Sequence, residues 1–234
     1  MMCVEVNVTQ EAALSSTLSP AEPQGDVFEL HGARTGNCFR AAVGLCEAGV
    51  PFRVRRINFT LDEHQSVEYL ALNPAGKVPV LVRRHRDGSP DLVITQSNAI
   101  LMFAAEWAPG RLLPFDTEAR AKVFEAYFYF VTDVIALNGI GFSLKGQSFL
   151  DASQKLIGQH LARIVDSERF LRAGGYMGSE HFSVADIAAF TIVRSVSEHL
   201  PWDRLPLLAE WRERISIRPG IQAGLTAFDP ETNG

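Results

Sequence analysis

The chain changes its hydrophobic rhythm once, and that change limits the folds open to it. Up to about residue 108, period-two and helical patterns alternate, whereas beyond residue 117 only the helical pattern remains. VFELHG (27–32) reads as a short strand. Gly36–Ala48 carries Phe39, Val43, Leu45 and Cys46 at helical spacing and stops at Gly49. FRVRRINF (52–59) alternates like a half-exposed strand, and SVEYLALN (66–73) is helical up to Pro74-Ala75-Gly76. VPVLV and DLVIT flank an Asp87-Gly88 hairpin turn, and Ser97–Trp107 is an amphipathic helix ended by Pro109-Gly110. The order β-α-β-α-β-β-α predicts a compact α/β unit with a crossover half followed by a hairpin half.

After a linker at 109–116, helices are expected over 117–138, 150–171, 183–198 and 205–215, giving an all-helical domain over 117–220 and a tail over 221–234. Ser183 and Asp186 form a carboxylate variant of the capping box, with Phe182 and Ile187 at the staple positions. Residues 1–26 are expected to be a disordered leader, because segment 9–25 is rich in Ser, Pro, Gln and Glu and lacks aromatic residues.

Composition narrows the function classes. Apolar residues are 47% and charged residues 21% of the 234, the balance of a globular protein. No run approaches about eighteen consecutive apolar residues, so no membrane span is expected. A net charge of −5 has the wrong sign for a general nucleic-acid binder. Cys3, Cys38 and Cys46 are odd in number and lack CxxC spacing, and the histidines are scattered. Neither a disulfide framework nor a metal site is therefore expected, and a reducing cytoplasm is the default setting. Arg83-Arg84-His85-Arg86 reads as a solvated hairpin tip, and Gly139-x-Gly141 lacks the strand and third glycine of a dinucleotide loop.

Four segments, in order and on the expected elements, carry a resemblance: ARTGNCFRAAVGLCEAGVPF, ALNPAGKVPVLV, TQSNAILMFAAEWAPGRLLP and FSVADIAAF. Together they are similar to the cytosolic glutathione S-transferase family over residues 27 to about 220. The resemblance implies a thioredoxin-like α/β domain over 27–108 and an all-α helical-bundle domain after it. It also implies glutathione as co-substrate, small hydrophobic electrophiles as partners, and a homodimer.

Site residues follow from the same resemblance. Lys77-Val78-Pro79 matches the segment with a cis-proline, whose turn leaves the Val78 N–H and C=O free to pair with the cysteinyl backbone of glutathione. Gln96-Ser97 matches the turn into the third helix, where Ser97 caps and the adjacent amides hold the γ-glutamyl carboxylate. The family's usual acid is here Gln96, which accepts a hydrogen bond but adds no charge. Thr35-Gly36-Asn37-Cys38 is the reacting centre. Thr35 falls where serine classes keep their hydroxyl, Asn37 where a bacterial class keeps a cysteine, and Cys38 one residue further, at the start of the helix and facing away. Which of the three meets the sulfur stays open. His64 and Lys77 match the glycyl end of the site, and Tyr127 and Phe130 the electrophile pocket. Three functions remain: conjugation of glutathione to an electrophile, glutathione-dependent disulfide or peroxide reduction, and non-catalytic ligand binding.

Overall fold

A computed structural model describes residues 26–144 and 149–230; the expected leader, apart from Asp26, lies outside these, as do residues 231–234 of the expected tail. The first unit contains β1 (Val27–Gly32), α1 (Gly36–Ala48), β2 (Arg53–Arg56), α2 (Val67–Leu72), β3 (Val80–Arg84), β4 (Leu92–Thr95) and α3 (Ser97–Trp107). The sheet order is β2-β1-β3-β4, with β1 and β2 parallel and the other pairs antiparallel. Alternation along the strands divides the two faces. Phe28, Leu30 and Leu81 join α1 and α3 in the main core, while Val80 and Val82 pack with Tyr69 of α2. This is the expected thioredoxin-like arrangement.

Charged side chains tie the sheet together and guard its edge. Glu29 on β1 is buried, and its carboxylate accepts from Arg55 of β2 at 2.8 Å and from Arg84 of β3 at 2.6 Å. The edge strand β2 carries three arginines, which discourage pairing with another chain. β2 is shorter than its alternating pattern suggests. Asn58 accepts from the Thr60 N–H and donates its own N–H to Glu63, so the chain turns into two short 3₁₀ segments instead.

The second unit is helical, as expected. α4 (Thr117–Phe128) continues through a π-helical stretch (Tyr129–Ile135) into α5 (Ala136–Ser143), five residues beyond the expected end. α6 (Leu150–Asp166), α7 (Val184–Ser195), α8 (Pro206–Ser216) and α9 (Pro219–Thr226) follow. The expectation that no segment is apolar enough for a bilayer needs correction. The continuous helix Thr117–Ser143 is long and apolar enough, with mean hydropathy 1.3 in its most apolar window. Polar residues scattered along it interrupt every apolar run, which is why run length missed it. In this fold it packs against α6 and α7.

The capping box at the start of α7 is present, and its carboxylate does more than cap. Asp186 is fully buried and accepts from the Ser183 N–H and hydroxyl, the Met177 N–H and the Trp211 indole N–H. Burial nonetheless pushes its pKa up to about 6. The linker is also drawn into the core: Leu112 and Leu113 are buried, and the Leu112 carbonyl accepts from the Val184 N–H at 3.0 Å.

The expected tail begins with a docked helix. α9 lies against α1, and a Cβ on Gly224 would fall 2.5 Å from both the Val43 N and Cα. Arg218, just before α9, pairs with Glu47 of α1 at 2.7 Å, and Phe228, just beyond it, is buried beside Gly32. Four Gly, Ala and Thr residues in its eight dilute the hydrophobic pattern, so the helix is hard to see in sequence. Gly224→Ala should lower the urea unfolding midpoint, with a loss of about 1–3 kcal/mol from overpacking. Unchanged stability would mean that this helix does not hold the two domains together.

Candidate active site

Three chain junctions meet at one end of the sheet because the strand register requires it. His31 pairs with Val80, and Val80 pairs with Thr95. The end of β1, the start of β3 and the end of β4 are therefore neighbours. The segments running out from them carry Thr35, Val78 and Gln96-Ser97.

At the first junction, Thr35 is the N-cap of α1 and its hydroxyl oxygen accepts from the Cys38 N–H at 3.3 Å. The hydroxyl keeps one proton to donate, and the Cys38 sulfur is one acceptor within its reach. Asn37 is exposed in the first turn, and its Oδ1 accepts from Arg40 at 2.7 Å. Cys38 is turned inward with no accessible surface, and its Sγ accepts from the Ala33 N–H at 3.4 Å. Burial raises its thiol pKa against the opposing hydrogen bonds from Thr35 and Ala33. These facts correct the candidacy of Cys38 as a reacting group: it offers neither an accessible sulfur nor a stabilised thiolate. Cys46 is likewise a poor nucleophile, with a pKa pushed up to about 11, chiefly by burial.

At the second junction, the Val78–Pro79 peptide is cis, as the motif implies. Among the described residues no hydrogen bond uses the Val78 N–H or C=O. The turn is held from behind, where the Lys77 carbonyl accepts from the Tyr69 hydroxyl at 2.9 Å and from Asn73 Nδ2 at 2.5 Å. The Lys77 side chain is exposed. His64 lies beside this loop, for a Cβ on Gly76 would sit 3.2 Å from its carbonyl oxygen. The His64 ring packs edge-on against Phe59, and its buried Nδ1 has no hydrogen-bond partner.

At the third junction, Gln96 has φ 72°, a left-handed backbone that a residue with a Cβ adopts at a cost of about 1–3 kcal/mol. Such strain collects where a chain must present its amides in a fixed direction. The expected cap needs correction: Gln96 holds the cap position and Ser97 is the first helical residue. The Ser97 hydroxyl accepts from Arg40 at 3.0 Å instead of capping the helix.

The two residues expected in the electrophile pocket are packed into the core. Phe130 is 0% and Tyr127 2% exposed, whereas the neighbouring Phe128 is 53% exposed and presents the open aromatic face. Tyr127 supports the third junction, because its hydroxyl donates to the Asn98 carbonyl at 3.3 Å. Its pKa is pushed up to about 12 by burial.

Sequence reasoning missed Arg40. The side chain is 2% exposed, and its NH1 reaches both Asn37 and Ser97, so it joins the first junction to the third. The available signal was a lone cation inside the apolar text CFRAAVGLC, three residues after Asn37 and so on the same helix face. A separate cleft of about 710 Å³ lies between α4 and segment 169–180, and none of the expected site residues lines it.

Cys38 should stay unlabelled when the native protein is treated with iodoacetamide at pH 8 and should react once the protein is unfolded in urea. Peptide mass mapping reads both states; native labelling as fast as that of a free thiol would put the sulfur in the open site.

Comparison with known proteins shows what the chain is similar to. Residues 24–106 match the glutathione S-transferase N-terminal domain. The chain is 27% identical over 211 residues to the disulfide-bond oxidoreductase YfcG of Escherichia coli K12, covering 85% of this chain and 94% of that protein. It is 28% identical over 216 residues to glutathione S-transferase 1 of Zea mays, covering 87% and 98% of the two chains. A glutathione transferase from Pseudomonas putida, solved with one glutathione disulfide per subunit, superposes with a TM-score of 0.74 at 22% identity, covering 92% of this chain and 95% of that one.

Proposed function

We propose, from the match of residues 24–106 to the glutathione S-transferase N-terminal domain, that the chain belongs to that family, binds glutathione, stabilises its thiolate and transfers the sulfur to a hydrophobic electrophile. The observation that carries this reading is the convergence of a capped helix start, a free main-chain pair and a second helix start at one sheet end.

The donor set fits such a ligand. The Val78 N–H and C=O can take the cysteinyl backbone as an added strand would. The amides at the start of α3, with the Ser97 hydroxyl, can take a carboxylate. Gln96 can accept from the γ-glutamyl ammonium, and His64 and Lys77 can meet the glycyl end. Bound glutathione supplies the nucleophile: its sulfur bonds to the electrophilic carbon as the leaving group departs with the bonding electrons.

The residues' contribution is ionisation and positioning. A free thiol titrates near pH 8.5, and lowering that by two units takes about 2.7 kcal/mol of thiolate preference. The Thr35 hydroxyl, the Asn37 amide and the N-terminal amides of α1 are donors suited to that task. Phe128 fits the apolar side of the pocket better than Tyr127 or Phe130. The reading includes a cytoplasmic setting and a homodimer, for which the exposed Leu61 is an available apolar contact.

One observation favours a second reading. YfcG, matched over 94% of its length, is named an oxidoreductase, and the inward Cys38 leaves disulfide chemistry to glutathione itself. In that case one bound thiolate attacks a substrate sulfur and one substrate thiolate leaves; a second glutathione thiolate then attacks the glutathione sulfur of the mixed disulfide, giving glutathione disulfide and expelling the second substrate thiolate.

Calorimetric titration should give saturable glutathione binding below millimolar concentration. Thr35→Val should cut turnover at least about 100-fold and leave the glutathione Kd within a few-fold. Turnover of an aryl halide supports conjugation, and turnover of bis(2-hydroxyethyl) disulfide alone supports reduction. No binding at millimolar glutathione would overturn both readings.

A further inference from the structure

The proposed reaction leaves one buried charge unexplained. Arg40 is 2% exposed, and among the described residues its hydrogen bonds go to two neutral groups, with its Nε buried and unpartnered. Glu47, the acid on the same helix, is engaged by Arg218. An arginine buried without a carboxylate is costly, and guanidinium stays protonated at neutral pH, so relief has to come from an anion. Here burial pulls its pKa down to about 10, still well above neutrality.

We propose that Arg40 is a positioning residue that turns Asn37 and Ser97 into donors aimed at two anionic groups of a bound glutathione, its thiolate and its γ-glutamyl carboxylate. The proposal rests on the glutathione reading and adds a residue to it. Asn and Ser side chains can each donate or accept, whereas a guanidinium only donates. The Asn37 atom 2.7 Å from Arg40 must therefore be its oxygen, which sends the amide N–H₂ away from Arg40. Ser97 accepts from the same nitrogen at 3.0 Å, so its proton also points elsewhere. One buried nitrogen thus sets the polarity of both helix starts, and its charge stands behind both. With neutral Gln96 where an acid would offset it, that charge is felt by the ligand in full.

The test follows the ultraviolet thiolate band of the glutathione complex against pH, together with calorimetric Kd values for glutathione and S-methylglutathione. Wild type should show a bound thiol pKa below the free value. Arg40→Met should raise that pKa by about one unit and weaken both ligands about tenfold. Arg40→Lys, which keeps the charge, should recover most of the S-methylglutathione affinity. Asn37→Asp, nearly isosteric, covers the case in which Arg40→Met fails to fold: its carboxylate would neutralise Arg40 on the site side and should also raise the thiol pKa. If wild type binds glutathione and Asn37→Asp, together with Arg40→Met where it folds, leaves pKa and affinities unchanged, the role of Arg40 is wrong and the glutathione reading stands. If wild type binds no glutathione, both fall.

Discussion

The close approach of α3 and α9 to α1 is the constraint on which the rest depends. Ala41, Ala42, Val43 and Leu45 have no exposed surface, because α3 covers one side of α1 and α9 the other. Two glycines make this possible. A Cβ on Gly44 would meet Leu101 of α3 at 2.7 Å, and one on Gly224 would meet the α1 backbone. With α1 held on both sides its first turn has little freedom, and that turn carries Thr35, Asn37 and Arg40. Tertiary packing, more than any bond within the site, fixes where the proposed donors point.

The sheet supplies the second half of that placement. Its register brings the ends of β1 and β4 beside the start of β3, and the segments emerging there have distinct tasks. The cis Val78–Pro79 turn presents main-chain groups, and the left-handed Gln96 aims the start of α3. Arg40 ties the first segment to the third across 57 residues of sequence. No catalytic histidine or metal is needed for what these groups can do. They can hold an anionic thiol ligand and favour its ionised form.

Most of the fold was legible in the sequence because local chemistry specified it. Strand β1 and helices α1 and α3 begin and end where period, Gly49 and the Pro109-Gly110 stop place them, and Ser183 caps α7 as its text implies. The failures have physical causes. β2 ends early because the Asn58 and Glu63 side chains satisfy the backbone in a turn. α9 is not legible in sequence because its stability comes from docking on α1, a long-range contact that leaves no period. The cis peptide was legible from Lys77-Val78-Pro79, but Arg40 was not, since only the fold shows that Asn37 and Ser97 face it. The sequence reading turns Cys38 away from the site, and its thiol lies beneath Ala33 with no accessible surface.

The central claim is that this sheet end holds glutathione and that its reactive sulfur comes from the ligand. A crystal structure of the glutathione complex tests it most directly. The account predicts the cysteinyl backbone paired with the Val78 N–H and C=O, a carboxylate at the start of α3 beside Ser97, and the sulfur within about 3.5 Å of the Thr35 hydroxyl. Glutathione seated in the cleft between α4 and segment 169–180, or joined to Cys38 as a mixed disulfide, would contradict it.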